Sequence, residues 1–107
     1  MSTLRTDIWA SALIRRAQAG GAFAAVVARG DADAGAVLVK INLLDGRARL
    51  RAPMLDIDGE RVWIDPLGRD EPAAEAEADA YIRRRREADR DLWVIEIEDR
   101  HGRDFLE

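Results

Sequence analysis

Two apolar runs, AVLVKINLL (36–44) and RARLRAPML (47–55), are separated only by Asp45-Gly46. An Asp-Gly pair between alternating apolar strands is the strongest short-range hairpin signal, because glycine accepts the positive φ that tight hairpin turns require. A two-residue loop at 45 and 46 pairs Leu43 with Ala48, Ile41 with Leu50, Val39 with Ala52 and Val37 with Met54. Every such pair is apolar. The same register pairs Asn42 with Arg49 and Lys40 with Arg51 on the other face. Alternate strand residues share a face, so Lys40, Arg47, Arg49 and Arg51 are expected to form one basic patch. Lys40 opposite Arg51 is repulsive unless something anionic lies near. Glu96 and Glu98, which alternate near the end of the chain, are the candidate neutralising groups.

The rest of the chain falls around this hairpin. Trp9, Ala10, Leu13, Ile14 and Ala17 lie on one arc at helical spacing, so residues 7–19 predict an amphipathic helix, capped by Thr6 or Asp7 and stopped at Gly20-Gly21. Residues 22–29 (AFAAVVAR) predict a strand that is apolar on both faces, hence central. Residues 30–35 predict a loop. Asp58-Gly59 marks a second turn, followed by a strand over 60–66 that ends at Pro66. A helix is expected over 72–90, with Pro72 in its first turn and Asp70 or Glu71 as cap. Ala74, Ala78, Tyr81, Ile82 and Ala88 form its inner face. Residues 92–98 (LWVIEIE) predict a last strand, and Phe105-Leu106 a short one beyond it. The expected fold is α+β: one domain over 1–107, with a mostly antiparallel sheet of about five strands, an N-terminal helix and a second helix before the last strand. Both helices are expected on one face. The large side chains expected in the core include Trp9, Phe23, Trp63, Tyr81, Trp93 and Phe105.

Composition narrows the chemistry. The chain has no cysteine, which removes disulfides and thiolate metal sites and fits a reducing compartment. No run approaches the roughly 20 apolar residues of a membrane span, and no signal peptide opens the chain. A cytoplasmic location with no membrane partner is expected. The formal net charge is −4, so the overall field does not favour nucleic acid. Lys40 is the only lysine; every other base is arginine.

Catalytic groups are sparse. Ser2, Thr3, Thr6 and Ser11 are the only hydroxyl nucleophiles apart from tyrosine, and His101, in a polar turn, is the only histidine. No Ser-His-Asp set and no His/Cys zinc site assembles from that inventory. Asp31-Ala-Asp33-Ala-Gly35 resembles the start of a calcium loop. It lacks the third oxygen ligand and the closing glutamate, and reads as an ordinary turn. The Arg83-Arg84-Arg85-Arg86 run cannot form one stripe on a helix, because successive residues point about 100° apart. Asp79 and Glu87, each four positions from Arg83, read as its salt-bridge partners on a solvated face.

GDADAGAVLVKINLLDG (30–46), RVWIDPLG (61–68), EAEADAYI (75–82) and DLWVIEIEDRHGRDFLE (91–107) together resemble a bacterial family known only as domain of unknown function 1491. The resemblance implies a small stand-alone intracellular protein. It brings no activity, ligand or catalytic residue to carry over.

The functional expectation is a non-enzymatic module that binds a protein partner or itself, without a cofactor or metal. The alternatives are a nucleic-acid or phosphate-ligand binder using Lys40, Arg47, Arg49 and Arg51, and a metal-dependent enzyme using Asp31 and Asp33.

Overall fold

The computed structural model describes residues 5–106. Helix α1 (Thr6–Ala19) leads into strand β1 (Phe23–Ala28), then β2 (Val37–Asn42), β3 (Arg47–Leu55), β4 (Arg61–Ile64), the two-residue β5 (Ala73–Ala74), helix α2 (Glu75–Ala88) and β6 (Trp93–Glu98). The strand order is β1-β6-β2-β3-β4, with β5 pairing with β3. All ladders are antiparallel except β2–β6, which is parallel. This is the expected α+β class with the expected helix placement.

The helices do not share a face. Leu13 and Ala17 of α1 pack with Val39, Ile41, Ile95 and Ile97. Ala78 and Ile82 of α2 pack with Leu38, Leu50 and Val94. These sets alternate along β2 and β6, so each helix covers the opposite side of the sheet. Leu38, Val39 and Ile41 are wholly buried, because β2 is central and roofed on both sides.

The hairpin forms, but its register differs from the expected one by a single residue. Lys40 lies opposite Leu50, Ile41 opposite Arg49 and Val39 opposite Arg51. The loop spans three residues, closed by the Leu43 N–H donating to the Arg47 carbonyl at 3.0 Å. Leu44 (φ 63°) and Gly46 (φ 88°) both take left-handed conformations. Asn42 and Asp45 hold that turn by accepting the Leu44 and Arg47 N–H groups at 2.8 and 3.1 Å. A one-residue slip turns a whole strand face over. In the observed register Ala48 and Leu50 join the α2-side core, while Arg49 and Arg51 lie half-buried opposite Ile41 and Val39.

Four further expectations change. Strand β1 is an edge strand, not a central one; its alanines read as buried, yet Phe23 is 62% exposed and Val27 51%. Helix α2 starts at Glu75 with no side-chain cap, because Ala73-Ala74 first pairs with Arg47-Ala48. Helix α1 likewise has no capping side chain. Phe105-Leu106 is not a strand: the Phe105 ring lies where a β-carbon on Gly20 would sit, and its carbonyl accepts the Arg16 Nε–H at 3.2 Å. Of the three tryptophans, Trp93 is fully buried, while Trp9 and Trp63 stack at 5.5 Å on the margin of the α1 face.

Candidate functional site

Lys40 projects from β2 beneath the first turns of α2, and its side chain is only 6% exposed. Its Nζ donates to Glu75 Oε2 at 2.7 Å and to Asp79 Oδ1 at 2.8 Å, with Glu96 Oε2 at 3.7 Å. The Asn42 amide bridges Glu75 and Glu96 at 3.1 and 3.0 Å. Burial opposes the ammonium charge. The hydrogen bonds to Asp79 and Glu75, with the field of Glu96, outweigh it and raise the Lys40 pKa above the ordinary lysine value. Lys40 therefore serves as the cation that lets two carboxylates of α2 face the sheet. Glu75, Asp79 and Ile82 recur at the i, i+4, i+7 spacing of an inner helical stripe. Two acids within such a stripe demand a buried cation, and that spacing is the signal by which this cluster was legible.

The basic quartet expected from the hairpin is split. Lys40 faces α2, whereas Arg49 and Arg51 face the α1 side opposite Ile41 and Val39. Arg47 binds Asp45 at 2.6 Å, Arg49 donates to the Asp70 carbonyl at 2.6 Å, and Arg51 lies 3.5 Å from Asp104. Glu96 reaches Lys40 as expected. Glu98 pairs with Asn42 in the ladder and makes no ion pair with these arginines.

Beside this cluster, α2 stops short of the sheet edge and leaves a groove of about 790 Å³ over β6 and β1. Lys40, Asp79, Val94 and Glu96 lie toward its floor, Val27 and Arg29 on the β1 side, and Arg83, Arg86 and Arg90 on the α2 side. All four arginines are exposed. The expected pairs with Arg83 do not form: Asp79 turns inward to Lys40, and Glu87 makes no ion pair. Tyr81 instead takes two other members of the run, its hydroxyl accepting from Arg85 and its ring lying under Arg84. Among the described residues, Arg83, Arg86 and Arg90 have no side-chain hydrogen bond or ion pair, and Arg29 rests only on the Trp93 ring at 4.9 Å. Three of the four groove acids are engaged, Asp79 and Glu96 with Lys40 and Asp89 with the Asp91 N–H at 3.0 Å, while the exposed Glu87 makes no ion pair among the described residues. The consecutive run misled the sequence reading. Arg83 and Arg86, three apart, do share one side of α2, and Arg90 joins them from the turn after the helix ends at Ala88.

Asp31 and Asp33 serve the loop that crosses Trp93. Asp31 accepts the Ala34 N–H at 2.9 Å, Asp33 pairs with Arg5 at 3.2 Å, and the Trp93 indole donates to the Asp31 carbonyl at 2.7 Å. A β-carbon on Gly30 or Gly35 would collide with the Asp91 carbonyl and the Trp93 ring. Among the described residues no group of three His, Asp or Glu side chains has the geometry to hold a metal ion. Ser2 and Thr3 lie outside the described residues, and the Thr6 hydroxyl donates to the Gly35 carbonyl at 3.2 Å. His101 is exposed in the turn closed by Asp99 and Arg103. No described helix is long and apolar enough to cross a membrane.

A sheet with one helix on each face and an arginine-rimmed groove at one edge defines the class: a small α+β protein with an uncovered sheet end. The chain belongs to the DUF1491 family, described as a protein of unknown function, whose model matches residues 4–107. It is similar to a DUF1491 family protein from Caulobacter crescentus CB15 in a crystal structure, at 52% identity over 97% of this chain and 95% of that one, with a TM-score of 0.87. An NMR structure of a DUF1491 family protein from the same organism matches at 51% identity over 99% and 94% of the two chains, with a TM-score of 0.83. The solution structure of Atu0922 from A. tumefaciens matches at 37% identity over 91% and 86%, with a TM-score of 0.75. No curated protein matches the chain. Family membership carries the fold and leaves the activity to be argued from the groove.

Proposed function

We propose that the protein is a non-enzymatic interaction module that receives an extended, acidic segment of a protein in the groove between α2 and β1. The observation that carries this reading is the set of exposed groove arginines, Arg83, Arg86 and Arg90, which have no carboxylate partner among the described residues. Three features support a peptide ligand. The outer edge of β1 makes no backbone hydrogen bond to another element among the described residues, so its N–H and C=O groups are available for strand addition. Phe23 and Val27 offer apolar surface along that edge. The groove also carries its own acids, and the overall charge of −4 repels a long polyanion more than a short acidic segment. The hairpin arginines 47, 49 and 51 are already engaged, so the binding role expected for the quartet passes to the groove, with Lys40 at its floor.

Fluorescence anisotropy with a labelled peptide of alternating valine and glutamate tests the reading. The wild-type chain is expected to bind it, to ignore the valine–lysine counterpart, and to lose affinity at least tenfold, about 1.4 kcal/mol, in the variant Arg83→Glu with Arg86→Glu. Equal binding of both peptides, or of the acidic peptide by both proteins, refutes it. A nucleic-acid role predicts instead that single-stranded RNA outcompetes the peptide at low salt.

A further inference from the structure

The second turn of the sheet carries the complement of the groove. Between β3 and β4 the chain runs Leu55-Asp56-Ile57-Asp58-Gly59-Glu60. The turn is rigidly built: Asp56 Oδ1 accepts the Asp58 and Glu60 N–H groups at 2.9 and 2.8 Å, and the Asp56 N–H donates to the Glu60 carbonyl at 2.8 Å. Its side chains point nowhere inward. Ile57 is 100% exposed and Leu55 67%, and the carboxylates of Asp58 and Glu60 have no side-chain partner among the described residues. The exposed Leu55 and Ile57 leave apolar surface in water, and the acids between and beside them have the opposite charge to the groove arginines that flank exposed Val27. The tip springs from β3 and β4, at the end of the sheet opposite β1, so it cannot fold back into its own groove.

We infer that a second copy of this chain supplies a ligand for the groove: the β3–β4 tip of one molecule docks between α2 and β1 of the next. Asp58 and Glu60 meet Arg83 and Arg86, and Ile57 and Leu55 cover Val27. This rests on the peptide-binding reading above and names its partner. The contact is head-to-tail, so each added copy leaves one tip and one groove open, and association does not stop at a dimer unless the rotation happens to close a ring. A tip of six residues buries less than a standard interface, which makes the contact weak and salt-sensitive.

Sedimentation of the full chain from micromolar to millimolar concentration tests it, with two charge-reversed variants: Arg83→Glu with Arg86→Glu in the groove, and Asp58→Lys with Glu60→Lys in the tip. At low salt the wild-type average mass is expected to climb without levelling at two copies. Each variant alone is expected to stay monomeric, since its tip and groove then carry the same charge. An equimolar mixture of the two variants is expected to associate again, which also shows that both are folded. A monomeric wild-type chain at every concentration overturns the inference, and so does association that survives both reversals, as direct β1–β1 pairing would give. In either case the peptide titration still decides the groove separately: binding of the valine–glutamate peptide with loss in the groove variant leaves that reading standing, whereas its failure removes both.

Discussion

Both helices are 14 residues long and cover opposite faces of one sheet, yet they finish those faces differently. On the α1 side the helix buries Ala10, Leu13 and Ala17, the Trp9–Trp63 stack closes one margin, and the C-terminal tail closes another through Phe105. On the α2 side the helix brings two carboxylates inward, requires Lys40 to neutralise them, and leaves the β1–β6 end open. A mainly apolar face contributes stability in proportion to the apolar area removed from water. A polar, half-open face contributes less and leaves side chains available to a partner. Under the proposed function, folding rests mainly on the α1 face and recognition on the α2 face.

That contrast can be broken by experiment. The largest effect is expected from Ile95→Ala, which leaves a cavity under α1 at a wholly buried position. It should cost about 3–4 kcal/mol in urea unfolding, and a loss below 1 would show that the α1 face is not the main core. Lys40→Ala should come next. It strands Glu75, Asp79 and Glu96, but Glu75 and Asp79 are 36% and 47% exposed and partly screened. The expected loss is about 2–3 kcal/mol, below the 3–5 typical of a fully buried pair. Combining Lys40→Met with Glu75→Gln and Asp79→Asn should recover most of it, and no recovery would mean that Lys40 acts through packing alone. The folded pKa of Lys40 lies above its unfolded value of 10.5, so its contribution is complete below pH 10.5 and fades as pH rises through the folded value. Subtracting the alkaline unfolding profile of the Lys40→Met variant isolates that loss.

Asp99 sharpens the comparison from the α1 side. Its carboxylate accepts the Arg103 Nη2–H and Nε–H at 2.9 and 3.0 Å. These hydrogen bonds outweigh burial and hold its pKa down at about 2, below the ordinary 3.8. A lowered folded pKa gives stability that is present above pH 3.8 and lost as the pH falls toward 2. With Arg103 half exposed, the loss should be about 1–2 kcal/mol. An Asp99→Asn variant should show a correspondingly shallower acid limb between those values; an unchanged limb would remove Asp99 from the account. The smallest effect is expected from Phe23→Ser with Val27→Ser. Both side chains are exposed, so stability should move by no more than about 0.5 kcal/mol, while binding of the valine–glutamate peptide falls. A large destabilisation would mean that β1 is covered after all.

Much of the architecture was legible without coordinates. The Asp45-Gly46 turn, the strands on each side of it, both helices and the last strand follow from local period and turn chemistry. The site was less so. Glu96 was correctly expected beside Lys40, because both alternate on strands. The arginines of the hairpin were assigned to the wrong side of Lys40, because the register depended on whether the loop held two residues or three. Leu44, in a left-handed conformation that leucine rarely adopts, gave no local warning of the longer loop. The pair Arg83 and Arg86 was present in the spacing but hidden by the consecutive run around it, and Arg90 reaches the groove only because α2 ends at Ala88.

The amino-acid sequence alone determined which segments are helix, strand and turn, that cysteine chemistry is absent, and that the catalytic inventory is poor. These follow from interactions among residues a few positions apart. Only the tertiary structure decided that β1 lies at an edge, that the helices take opposite faces, and that Lys40 parts from the hairpin arginines. Periodicity tells which side chains must leave water. It does not tell which distant element will cover them, and in strands as short and alanine-rich as β1 several coverings satisfy the same pattern.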